Sequence, residues 1–173
     1  MTAATMLGSE QFTEVHDRYF PDIHRYVAGR LGAQVAEDVA AETFLVAFDR
    51  RKTFDAARGE LRAWLFGIAT NLVSRHRRKE ARHYRALSRL DLRETAEGHE
   101  NRVVASLTVA RLGKALSRLS AGERDVLLLV ALGDLGYAEV AEALGISPGT
   151  VGSRLTRARK KLTPVLAEEA SDE

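Results

Sequence analysis

The segment Tyr137 to Leu162, YAEVAEALGISPGTVGSRLTRARKKL, constrains the fold more than any other part of the chain. Ala141, Gly145 and Val151 stand four and six residues apart, the arrangement a helix-turn-helix requires. A small residue at 141 lets two helices approach closely, Gly145 supplies the positive φ of a tight turn, and Val151 packs the second helix back on the first. Val140, Leu144, Ile146 and Leu155 add the remaining apolar contacts. Ser147 before Pro148 is an N-cap followed by a first-turn proline, which starts a helix. That helix presents Thr150, Ser153, Arg154, Arg157, Lys160 and Lys161. Its first turns are placed to enter a major groove and its basic end to lie along phosphates. An αα-corner with a solvated basic face is the plainer alternative, but spacing, turn chemistry and charge agree on the helix-turn-helix.

Helical periodicity extends over almost the whole chain. Phe12, Val15, Tyr19, Ile23, Val27 and Leu31 step by three or four residues, with Pro21 expected to bend or interrupt the run. A second stripe runs from Val35 or Ala36 through Val39, Ala40, Thr43, Phe44, Ala47 and Phe48. A third comprises Leu61, Trp64 or Leu65, Ile68, Ala69 and Leu72, and continues into a basic block. Ser120 to Glu123 has the spacing of a capping box opening the apolar run Val126 to Leu132. No useful period-2 segment exists, and three prolines are too few for an all-β sandwich. The fold class is all-α.

Charge divides the chain into parts. Net charge is only +2, yet residues 1–50 carry eight acids against four arginines, and residues 75–93 carry eight bases against two acids. All five charged residues from Thr150 to Pro164 are basic, and the last nine residues hold four acids and no base. Such blocks predict separate surfaces with separate partners, the basic ones facing a polyanion. Of the eleven aromatic residues only Tyr137 lies beyond Tyr84, so the first half builds its core from rings and the second from aliphatics. Between them Arg93 to Asn101, RETAEGHEN, is polar and aperiodic. The expected organisation is two small helical domains, residues 9–92 and 105–166, joined by a polar linker at 93–104, with an acidic tail at 167–173. The tail is a solvated end or a screen for the basic helix.

Several functions are excluded. Without cysteine there is no disulfide scaffold, Cys-ligated zinc, iron–sulfur cluster or thiol nucleophile. The longest apolar stretch is too short to span a bilayer, and the N-terminus lacks the pattern of a secretory signal, so a cytoplasmic location is expected. His16 and His24, or His76 and His83, are not at zinc-ligand spacing with a nearby carboxylate. Phosphate-binding glycine loops are absent, and the carboxylate pairs have no pocket around them. Neither a cofactor, a metal nor a catalytic activity is expected.

Four stretches together resemble bacterial RNA polymerase sigma factors of the extracytoplasmic-function (ECF) class, which retain sigma regions 2 and 4. These are AEDVAAETFL from Ala36, LRAWLFGIATN from Leu61, LSAGER from Leu119 and GTVGSRLTRAR from Gly149. The likeness covers roughly Phe12 to Leu162 in the family's order. It implies that Asp38 and Glu42, four apart on one helix face, dock on the β′ clamp helices of core polymerase. It implies that the loop from Arg51 to Glu60, with Phe54 as a wall, and Asn71 capture a flipped base of the −10 element. Phe54 is equally suited to the core, and Trp64 is read as core. Arg75, Arg77, Arg78, Lys79, Arg82 and Arg85 then follow as a cationic flank for the backbone.

For the −35 element the resemblance implies Thr150, Ser153, Arg154 and Arg157 as contacts, with Arg159, Lys160 and Lys161 as phosphate clamps, and a second polymerase contact at the β flap. The linker would run through the RNA exit region, and an anti-sigma factor is a plausible further partner. Two positions depart from the family pattern. Arg75 stands where a polar or acidic residue is common, and Gly152 where Lys or Arg is. A stand-alone helix-turn-helix repressor or activator is the competing reading. An adaptor that only binds polymerase would have no use for Asn71 or the basic helix.

Overall fold

The computed structural model describes residues 8–89 and 100–167, the side chains of 100–108 and 166 excepted. Eight α-helices occur among the described residues: α1 (Ser9–Leu31), α2 (Ala33–Arg50), α3 (Leu61–Arg75), α4 (Arg77–Ser88), α5 (Glu100–Ser117), α6 (Ala121–Ala131), α7 (Tyr137–Leu144) and α8 (Pro148–Ala167). The expected linker lies outside the described residues up to residue 99, and Glu100 and Asn101 open α5. Of the expected tail, residues 168–173 also lie outside them.

The first half packs α1, α2 and α3 on one another around the three apolar stripes. Ile23, Tyr26, Val27, Ala36, Ala40, Leu65, Phe66 and Ala69 are fully removed from solvent. The rings of Phe12, Phe44 and Phe48 meet edge to face, a geometry the ring quadrupole favours. α1 runs uninterrupted through Pro21, which is exposed, so water can satisfy the carbonyl its ring leaves unpaired. Gly32 turns the chain into α2 at φ +89°. Thr43 and Thr70 are buried but bond back to the carbonyls of Val39 and Phe66, both at 2.8 Å, so neither leaves an orphan hydroxyl.

In the second half α6, α7 and α8 pack together, with α5 against α8. The capping box forms as expected: Ser120 Oγ accepts from the Glu123 N–H at 3.3 Å, and the Glu123 carboxylate accepts from the Ser120 N–H at 3.0 Å. Gly145 sits at φ +63°, ψ +36°, the left-handed conformation the tight turn demands. Val151 and Leu155 are buried, and Ser147 Oγ accepts from the Thr150 N–H at 3.2 Å, capping α8.

The two halves also pack on each other. α4 lies along α5 and α3 along α7, so one apolar cluster runs through both. The rest of the seam is ionic, and its side chains come from helices far apart in sequence.

Candidate nucleic-acid interface

The first candidate surface grows out of α3. Its core-facing residues, Leu65, Ile68, Ala69 and Leu72, hold the helix in the first half. Trp64 and Asn71, seven residues apart, therefore share the outer face. Asn71 is exposed there, Arg75 is exposed one turn further on, and Trp64 is half-buried. The loop before α3 brings Phe54 back against Trp64, with ring centroids 5.2 Å apart and planes at 45°. Phe54 is likewise half-buried, so neither ring belongs wholly to the core. Beside the pair opens a recess of about 210 Å³ lined by Thr53, Phe54, Asp55, Arg58, Gly59, Trp64 and Glu142. At roughly 30 Å³ per water, a flat heterocycle has room there.

His76 breaks the helix between α3 and α4, and the basic block continues on α4. Arg77, Arg78, Lys79, Arg82 and Arg85 are all exposed. They form a cationic flank running on from Asn71 and Arg75. The opposite side of α4 buries Glu80 and Tyr84.

The second surface is α8. Ser153, Arg157, Arg159, Lys160 and Lys161 are exposed, and Thr150 and Arg154 are half-buried. Two of these pair with the carboxylate of Glu123 inside the domain. Lys161 Nζ donates to Glu123 Oε2 at 2.7 Å, and Arg157 Nε stands 3.8 Å from Glu123 Oε1. The bond from Lys161, more than any other influence, holds the Glu123 carboxyl below the usual range. The Arg154 guanidinium lies against Gly122, where an added Cβ would stand 2.9 Å from Cζ, so Gly122 leaves the space it occupies. Gly152 faces open space on the same helix.

A third surface lies on α2. Asp38 is exposed and Glu42 half-buried, and Leu45, one turn on from Ala41, is 67% exposed, unusual for a large aliphatic. An open apolar hollow formed by Phe12, His16, Phe44, Leu45 and Phe48 adjoins it.

Sequence reasoning missed the ionic seam between the halves. Arg30 of α1 is 2% exposed; its Nε donates to Glu80 Oε2 at 2.8 Å and its Nη1 to the Tyr26 hydroxyl at 2.7 Å. Its remaining nitrogen meets Asp125 of α6 at 2.7 Å. Glu80 Oε1 accepts from Arg124 of α6 at 2.6 Å, and Arg124 also donates to the carbonyls of Leu116 and Leu119. Two guanidiniums thus balance two carboxylates. Burial alone would lower the Arg30 pKa, but Tyr26, Glu80 and Asp125 reverse this and hold it well above the ordinary value. The only trace in the sequence is one acid, Glu80, within a run of cations.

Among the described residues no helix is long and apolar enough to cross a membrane, and no three His, Asp or Glu side chains converge as a metal site. The Sigma-70 region 2 family matches residues 15–83, and the Sigma-70, region 4 family matches residues 110–162. The chain is 32% identical to the ECF RNA polymerase sigma factor BldN of Streptomyces coelicolor over 94% of its own length and 62% of that protein. It is 33% identical to the ECF RNA polymerase sigma factor SigL of Mycobacterium tuberculosis, over 89% of this chain and 88% of that one. Among solved structures, CnrH in complex with the cytosolic domain of CnrY superposes with a TM-score of 0.67 at 26% identity, over 93% of this chain and 90% of the other. Region 2 precedes region 4 along the chain, and the chain belongs to the ECF RNA polymerase sigma factors, a family of DNA-binding transcription regulators.

Proposed function

We propose that the chain joins bacterial core RNA polymerase as its promoter-specificity subunit, reading the −10 element with α3 and the −35 element with α8. What carries this reading is the exposed Asn71 two turns along α3 from Trp64 of the Phe54–Trp64 recess, on the same chain as an exposed basic recognition helix. Opening a promoter means unstacking bases at a few kcal/mol per step, and a protein surface must offset that cost. A ring wall contributes about 1–3 kcal/mol per stacked base. Asn71 offers a carbonyl acceptor and two amide donors to the edge of the base held there.

Arg75, Arg77, Arg78 and Lys79 carry the backbone beyond the recess. On α8, Thr150, Ser153, Arg154 and Arg157 face base edges, and Arg159, Lys160 and Lys161 hold phosphates once Lys161 trades Glu123 for DNA. Asp38 and Glu42 steer α2 onto the clamp helices, with exposed Leu45 as the apolar centre of that contact. The flap receives the second half, and the polar segment between the halves crosses the RNA exit region. CnrH is in complex with the cytosolic domain of CnrY, and we extend complex formation with such a partner, an anti-sigma factor, to this chain. The chain works in the cytoplasm without a cofactor and makes no bond itself; phosphodiester synthesis belongs to the polymerase.

Transcription by purified bacterial core polymerase on a pool of promoter fragments, with and without the chain, tests this reading. Discrete new start sites are expected, and they should vanish with Asn71→Ala and with Arg154→Ala. Start sites that survive both changes would overturn the residue assignments.

A further inference from the structure

Three cations of the recognition helix are turned toward their own domain. Arg154, Arg157 and Lys161 follow one another at steps of three and four residues, so they share one flank of α8. That flank overlooks the first turn of α6. The Arg154 guanidinium rests where a side chain on Gly122 would be. The Glu123 carboxylate takes Lys161 at 2.7 Å on Oε2, with Arg157 3.8 Å from Oε1. Arg159 and Lys160, by contrast, are exposed and form no ion pair among the described residues.

The local duty of Glu123 needs no charge. Its side chain closes the capping box of α6 by accepting from the Ser120 N–H, and glutamine does the same at that place in a capping box. The negative charge acts on α8 instead. We propose that Glu123 is a positioning residue that withholds Lys161, and with it Arg157, from DNA, and so sets how tightly and with what salt dependence the helix-turn-helix holds the phosphate backbone. The inference rests on the −35 reading given above. The Glu123 side chain is only 8% exposed, against 46% for Lys161, so the ammonium can reach outward while the carboxylate has little water to replace it. A phosphate that takes Lys161 leaves a nearly buried carboxylate without its closest counter-charge, a penalty that contacts to Arg159 and Lys160 do not carry. Withholding one ammonium removes about one phosphate from the sum that governs salt dependence, or about 0.9 in the slope of log K against log salt.

Affinity of the full chain for a short labelled duplex of random sequence, read by fluorescence anisotropy over a potassium chloride series, tests this, because phosphate contacts need no promoter. Glu123→Gln keeps the cap, and it should tighten binding at low salt and steepen the slope by about 0.9. The gain should then shrink about 3.5-fold between roughly 50 and 200 mM salt. Lys161→Met should flatten the slope by about 0.9 when combined with Glu123→Gln, and by less than half of that in the otherwise unmodified chain. Asp134→Asn removes an equal charge from an exposed position of the same half, and asparagine accepts its φ of +53°, so the slope should stay where it was.

An unchanged slope with Glu123→Gln, an equal change with Asp134→Asn, or the same effect of Lys161→Met in both backgrounds would overturn the role of Glu123. Lys160→Met reads the placement of α8 on DNA separately, since it should flatten the slope with or without Glu123→Gln. If Lys160→Met leaves the slope unchanged, α8 is not the helix on the backbone, and the proposal falls with the −35 reading and not on its own account.

Discussion

Glu80→Gln probes the seam most directly, because it removes one charge and almost no volume. The carboxylate side chain is 3% exposed and makes two charge-assisted bonds, 2.8 Å to Arg30 and 2.6 Å to Arg124. Bonds to charged groups contribute roughly 1.5–3 kcal/mol each, so their joint loss is bracketed at about 3–6 kcal/mol. Three features move the expectation to the lower end. Glutamine keeps one acceptor oxygen, Arg30 keeps Asp125, and Arg124 keeps two backbone carbonyls and is 16% exposed. An uncompensated positive charge remains, which sets the loss at about 3 kcal/mol, the lower edge for breaking a buried pair. For a chain of this length that is a fall in Tm of roughly 6–12 °C. Urea unfolding followed by the fluorescence of Trp64, the sole tryptophan, and by far-UV circular dichroism measures it. A loss under about 1 kcal/mol, the worth of a surface pair, would mean that water already reaches the seam and the halves are not packed in solution.

Gly152→Ala should stabilise the chain by up to about 1 kcal/mol, since the added methyl meets open space within a helix; unchanged thermal melting would refute this. The Tyr84 hydroxyl is buried without a hydrogen-bond partner among the described residues, so Tyr84→Phe should be neutral or gain about 1 kcal/mol in urea unfolding, and a clear loss would show that the hydroxyl is satisfied. Stability should fall with pH in two stages. Burial, only partly offset by Glu80, lowers the His83 pKa below 6.5, so the unfolded chain binds the proton first and stability declines as pH drops through and below that value. The Glu123 carboxyl, held below 4.5 chiefly by Lys161, contributes stability that is lost as pH falls through its lowered value. His83→Gln should flatten the first stage of a pH series of melting temperatures, and a series that keeps its slope near pH 6 would count against this assignment.

The sequence by itself determined the inward faces of α1, α2 and α3, the cap of α6 and the turn between α7 and α8, though not α5, which opens within the stretch read as linker. Those are local matters: a period of 3.6, a serine with a glutamate three residues on, and a glycine where the turn between α7 and α8 needs a positive φ. It also determined which surfaces carry which charge, because runs such as Arg75 to Arg85 cannot be buried. Pro21 was legible only in part. Its cost depends on which side of α1 meets water, and that is decided by packing.

Only the tertiary structure decided how Phe54 and Trp64 divide between core and surface, that Lys161 pairs with Glu123, and that Glu80 is a buried hub. It alone brought Glu142 into the recess beside α3. Each of these joins residues that are far apart along the chain, such as Arg30 with Asp125 and Gly67 with Ala143. No periodicity encodes such pairs. They follow from the mutual fit of whole helices, where a missing side chain at 67 matters as much as any charge.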